Sequence, residues 1–188
     1  MYGGTYQPPV AQTAGHFWDG LIRRHRAEFK ANPEMLALVR DRATGRLVRR
    51  GPQVESTHPR VRELIVKHIR STYEKNIAAG RWTRDTAAGF PIGPADGAGY
   101  SLSTESQLAG SGRTDPITGR PDVTDLLILL GNQVLEAIED DYPNAIVGYY
   151  NYSVHADYPA RYKPHPNIAQ IFAPINFSRF HGPGDRNA

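Results

Sequence analysis

Three short apolar runs, at residues 87–93, 145–152 and 168–173, constrain this chain most, because none shows strict alternation of polar and apolar positions. A strand with one face in water alternates, whereas a strand buried on both faces reads as a near-continuous apolar run. Helix-like segments precede the first run and separate it from the second, which argues for parallel βαβ units in an α/β fold.

The clearest helix spans 59–79. Pro59 suits a first helical position after the capping-competent Ser56, Thr57 and His58, and Gly80 follows the end. Val61, Leu64, Ile65, His68, Ile69, Tyr73 and Ile77 fall on one stripe, with charged residues elsewhere, as in a helix packed on one side. A second helix is expected over 121–141, stopped by Tyr142-Pro143, and a shorter one over 19–30. Residues 35–39 read as a further strand, able to pair across 41–45 with 46–49.

A closed (β/α)8 barrel takes ~250 residues, and only three convincing core strands, with one more possible, can be counted in these 188 residues. The expectation is therefore a partial (β/α)8 TIM-type barrel with parallel strands, truncated at both ends. Residues 1–15 read as loop or linker, 16–181 as the barrel segment and 182–188 as a tail.

Composition excludes several functions. No apolar run approaches the ~20 residues of a membrane helix, and no secretory leader stands at Met1. With no Cys, disulfides, thiol nucleophiles and Cys-ligated zinc are all excluded, and the seven His lack metal-ligand spacing, so no metal or cofactor is expected. The net charge is only +3, with eighteen Arg scattered along the chain, so a nucleic-acid partner is not expected. The clusters at Arg23, Arg24, Arg26 and at Arg46, Arg49, Arg50 read as solvated surface.

In parallel α/β folds the loops at the carboxyl ends of strands share one face, and that face carries the site. The loop after the first run reads Ile92-Gly93-Pro94-Ala95-Asp96-Gly97-Ala98-Gly99-Tyr100, a carboxylate set among glycines that let a ligand approach the backbone. Asp96 there either orients a substrate group, acts as acid or base, or bonds the amides of its own turn. No dinucleotide site is read here, since no helix follows at once. The second loop, Tyr149-Tyr150-Asn151-Tyr152-Ser153-Val154-His155, offers rings, an amide and an imidazole, a set suited to a sugar. Tyr149 is expected to be core. His16, Asn176 and His181 are weaker candidates, and His165, between two prolines, reads as scaffold.

The order of several segments resembles a known family: Gly15-His16-Phe17, Asn32-Pro33-Glu34-Met35, Thr57-His58-Pro59-Arg60, Pro94-Ala95-Asp96-Gly97, Gly119-Arg120-Pro121, Tyr142-Pro143, Tyr150-Asn151-Tyr152 and Lys163-Pro164-His165-Pro166-Asn167. Over 15–180 this layout is similar to domain-of-unknown-function family 4838, related to glycoside hydrolase family 163. The resemblance implies a catalytic barrel from mainly bacterial, carbohydrate-degrading proteins, secreted or periplasmic. It also implies endo-β-N-acetylglucosaminidase chemistry, in which the acetamido oxygen of the substrate serves as nucleophile. The family loop commonly carries Asn-Asp-Gly-Gly-Gly-Tyr and then Cys-x-Cys, often with an acid between the cysteines. Here Ala95 and Ala98 replace an Asn and a Gly, Ser101 and Ser103 the cysteines, and Leu102 the acid.

The expected function is hydrolysis of an N-acetylhexosamine-containing glycan. Asp96 would orient or polarise the reacting group and Glu105, the nearest other carboxylate, would donate the proton. Tyr100, Tyr150, Asn151 and Tyr152 would line the sugar subsite, with His16 at its edge. The alternative is a carbohydrate-binding or interaction domain on a catalytically impaired barrel.

Overall fold

The structure is a computed structural model that describes residues 13–173. Asn176, His181 and the expected 182–188 tail lie outside the described residues, as does most of the 1–15 loop.

The amino-terminal helix is two short ones, α1 (Trp18–Arg24) and α2 (Arg26–Ala31), where a single helix over 19–30 was expected. The break falls at His25, whose φ of −113° and ψ of 31° are not helical, and buried Leu21 and Phe29 lie on either side of it. Strands β1 (Leu36–Arg40) and β2 (Leu47–Val54) then form an antiparallel pair, as the spacing predicts, although β2 runs well past residue 49. Asp41 closes their turn by accepting the Ala43 and Thr44 amides at 3.1 and 2.9 Å.

Helix α3 (Pro59–Ala78) matches expectation, with the His58 side chain accepting the Arg60 amide at its start. Its apolar stripe is buried, and Tyr73 stacks on Tyr142 with ring centroids 4.1 Å apart. Strands β3 (Gly89–Pro91), β4 (Ile146–Asn151) and β5 (Ile168–Phe172) form a parallel sheet in that order, with Phe90, Val147 and Ile168 in one row.

Helix α4 (Thr104–Ala109) and helix α5 (Thr124–Glu136) connect β3 to β4. Gly131 lets α5 lie close on the sheet, since a Cβ there would stand 2.8 Å from Ile168 Cδ1. The second expected helix is shorter than 121–141. Asp122 Oδ1 takes the Thr124 amide at 2.7 Å and the Val123 amide goes to Val154 O, so the helix starts three residues late. It ends at Glu136 because the chain then tightens into turns.

The mixed α/β architecture and parallel strands are as expected, and among the described residues the strands form no closed barrel. Among the described residues the parallel sheet has three strands, and β1 and β2 form a sheet of their own. The β4–β5 connection carries only a single 3-10 turn, Ser153–His155. Apolar periodicity reports burial of a strand, whereas closure depends on strand number and stagger, which no local pattern encodes. Among the described residues no helix is long and apolar enough to cross a membrane.

Candidate functional site

Because β3 and β4 run in parallel, the loops that leave them emerge at the same end of the sheet. The first is fastened on several sides. Trp18 Nε1 donates to Ile92 O at 2.8 Å, and the amides of Phe17 and Trp18 both reach Gly93 O. Fully buried Gln53 then brackets the turn, donating to Ala95 O at 2.8 Å and accepting the Ala95 amide at 3.0 Å. Beyond Asp96 the chain turns through Gly97 and Gly99, with φ near +100°, where a side chain is disfavoured.

The loop then runs along β1, with the Leu102 amide bonded to Leu38 O and the Leu38 amide to Ser101 Oγ. Ser101 and Ser106 donate to Glu55 at 2.6 and 2.5 Å, and Thr57 and Arg49 each reach it at 2.8 Å. Burial pushes the Glu55 carboxyl upward, but the hydroxyl bonds, Ser101 and Ser106 foremost, outweigh it and hold the pKa below the ordinary glutamate value. Glu55 is thus a structural anchor, and Ser101 and Ser103 have structural parts, the second as the cap of α4.

After β4 the chain passes through Ser153 at φ 54°, a strained setting for a residue other than glycine. This tight turn lets the Tyr152 amide donate to His155 Nδ1 at 3.3 Å. His155 is buried among the rings of Tyr100, Tyr149 and Tyr152. Burial drops its pKa to about 4, so the ring is neutral near pH 7, with the proton on Nε2 because Nδ1 accepts.

The two loops meet where the Tyr152 hydroxyl donates to Asp96 Oδ1 at 3.2 Å. Among the described residues this is the bond the Asp96 carboxylate accepts, so its own turn's amides do not take it up. The pair lines a cleft of about 420 Å³ together with Tyr100, Val123 and His155, and with Arg40, Arg42 and Arg120. That volume lies in the usual range of about 300–1,000 Å³ for ligand sites. Burial, then the nearby Tyr152 and Asp96, push the Tyr100 phenol far above its ordinary range, and burial followed by Asp96 raises that of Tyr152.

Of the residues expected at the site, Asp96, Tyr100 and Tyr152 come together in this cleft. His16 and Tyr150, with ring centroids 5.8 Å apart, line an adjoining crevice that shares Tyr152 and His155, and His16 Nδ1 lies 2.9 Å from Pro94 O. Asn151 lines neither. Its place in β4 shares the sheet face of Val147 and Tyr149, and its Oδ1 is buried without a hydrogen-bond partner. Glu105 is exposed in the first turn of α4 and is not among the residues lining the cleft. Tyr149 is core, and His165 is scaffold held by Asn132 and Glu139.

His155 was visible as part of the tyrosine-rich loop, without an assigned part. Gln53 and the three arginines carried no spacing signal, since residues from separate elements meet only in the folded chain.

The sequence model for the domain of unknown function DUF4838 matches residues 3–187. No curated protein and no solved structure matches the chain. With nearly its whole length covered by that match, the chain belongs to the DUF4838 family.

Proposed function

We propose that this chain is part of a glycoside-hydrolase-like domain, and that its cleft holds an N-acetylhexosamine residue of a glycan. The observation that carries this is the Tyr152–Asp96 pair. An acetamido group presents an N–H donor on one side of its trans amide and a carbonyl acceptor on the other. A carboxylate and a phenolic O–H that part around the group are the complementary set, with Asp96 accepting from the N–H and Tyr152 donating to the carbonyl. The two side chains satisfy one another through one bond and, by moving apart, exchange it for two on binding. Tyr100 and Tyr152 add ring surface for the apolar face of a sugar.

Hydrolysis follows if the oriented acetamido oxygen attacks the anomeric carbon while an acid protonates the leaving oxygen, as expected from the likeness to glycoside hydrolase family 163. Asp96 would polarise the acetamido N–H. The three consecutive parallel strands suit a segment of a larger (β/α)8 barrel. A second reading, glycan binding without turnover, is favoured by one observation: among the residues lining the cleft, Asp96 is the one carboxylate, and Glu105 lies outside it.

Calorimetric titration with chitotetraose, alongside release of a chromogenic N-acetylglucosaminide, tests both. Binding with turnover that Asp96→Asn abolishes supports the enzyme. Binding without turnover selects the second reading. No binding of chitotetraose or of any acidic N-acetylhexosamine oligosaccharide rejects both.

A further inference from the structure

Three arginines line the cleft, and acetamido recognition uses none of them. Arg40 ends β1, Arg42 follows in the hairpin turn, and Arg120 lies just before α5, yet all three line the same cavity as Asp96 and Tyr152. Among the described residues none of the three forms an ion pair, whereas Arg49, Arg50 and Arg113 are neutralised by Glu55, Asp41 and Asp157 at 2.8, 3.2 and 3.0 Å.

The acid that sits between Arg40 and Arg42 in sequence does not compensate them. Asp41 is engaged by the Ala43 and Thr44 amides, the Thr44 hydroxyl and Arg50. Arg40 is steadied in place by donating through Nη1 to Gly45 O at 2.7 Å. The cavity is therefore lined by three arginines and one carboxylate, in a chain whose whole net charge is +3. Charge of one sign gathered in a concave site focuses the field and raises the local concentration of an oppositely charged ligand. Guanidinium groups also match the planar fork of a carboxylate, or two oxygens of a sulfate, with paired hydrogen bonds.

We infer that the cleft selects an acidic saccharide, in which the arginines take a carboxylate or sulfate on one sugar while Asp96 and Tyr152 take the acetamido group of its neighbour. This rests on the glycan assignment proposed above and adds the class of substrate. Asp96 has a part in the discrimination: it opposes a bare anion, so the site favours a ligand that places its negative charge on the arginine side and a neutral donor at the aspartate.

The test is calorimetric titration of the 188-residue chain with four probes: a hyaluronan tetrasaccharide, its carboxyl-reduced form, a chondroitin sulfate tetrasaccharide and neutral chitotetraose. The acidic hyaluronan probe is expected to bind about tenfold more tightly than its reduced form. That advantage should shrink with added salt and vanish in the Arg42→Gln/Arg120→Gln double variant. Both positions are exposed, so the variant should melt like the wild type, and Arg42→Lys/Arg120→Lys should recover part of the preference. Tighter binding of the sulfated probe would make sulfate the anion, whereas preference for hyaluronan would make it the carboxylate. Equal binding of hyaluronan, its reduced form and chitotetraose would overturn the acidic class while leaving the glycan assignment standing. Failure of all four probes would overturn both.

Discussion

The Tyr152 hydroxyl and the Asp96 carboxylate lie 3.2 Å apart although 56 positions separate them in the chain, and their bond ties the loop after β4 to the loop after β3. The contact is exposed, so its contribution to folding is small. Tyr152→Phe and Asp96→Asn are each expected to lie within about 1 kcal/mol of the wild type in urea unfolding. Both should weaken binding of an N-acetylhexosamine oligosaccharide about tenfold, while the corresponding unacetylated oligosaccharide binds weakly to all three proteins. Undiminished binding of the acetylated probe by Asp96→Asn would remove Asp96 from the site.

Glu55 behaves oppositely, as a stability residue. It is 3% exposed and gathers Ser101, Ser106, Thr57 and Arg49 around one carboxylate. Glu55→Ala leaves those donors facing an apolar gap and should cost about 3–5 kcal/mol. Its folded pKa lies below the ordinary 4.5, so the stabilisation is complete above that value and is lost as pH falls through the folded one. Glu55→Gln should flatten the acid limb of a plot of unfolding free energy against pH.

His155 acts in a higher pH window. Burial lowers its pKa from 6.5 to about 4, so as pH falls the unfolded chain takes up the proton first. Stability is fully present above 6.5 and declines toward pH 4 by up to roughly 3 kcal/mol from this residue. His25 and His68, also lowered chiefly by burial, add in the same direction. His155→Gln should remove part of the slope between those two values in chemical denaturation followed across pH. An unchanged slope would show that the imidazole is solvated.

Gly93 and Gly97 separate steric from conformational constraint in one loop. A Cβ at Gly93 would stand 2.6 Å from Gly15 O, a backbone atom that cannot swing aside, so Gly93→Ala should cost about 3 kcal/mol. At Gly97 nothing lies within 4 Å and only the φ of +99° resists, so Gly97→Ala should cost about 1 kcal/mol. Urea midpoints of the two variants give the order directly.

Local chemistry decided much of this chain. The stripe from Val61 to Tyr73, with Pro59 before it and Gly80 after, specified α3 nearly to the residue, because helix start, stop and buried face are all short-range properties. The unalternating runs around Phe90, Val147 and Ile168 likewise specified strands, and their parallel pairing followed from the segments between them, although only β4 is buried at successive residues and no residue of β5 is buried. Position after a strand singled out Asp96 and Tyr152 as well. What no local pattern contains is which residues from separate elements meet. Gln53 clamping Ala95, Glu55 collecting serines from two segments, and Arg40, Arg42 and Arg120 sharing a cavity depend on how β1, β2 and the two loops pack. Glu105 shows the converse, since nearness to Asp96 in sequence left it outside the cleft once Ser103 capped α4. Periodicity reports the surroundings of one element, so the sequence settled α3, the core strands and the parallel pairing, but neither the break at His25 nor α4. The site was settled by packing between elements, where loop length, glycine contacts and buried hydrogen bonds choose among arrangements with equal local propensity.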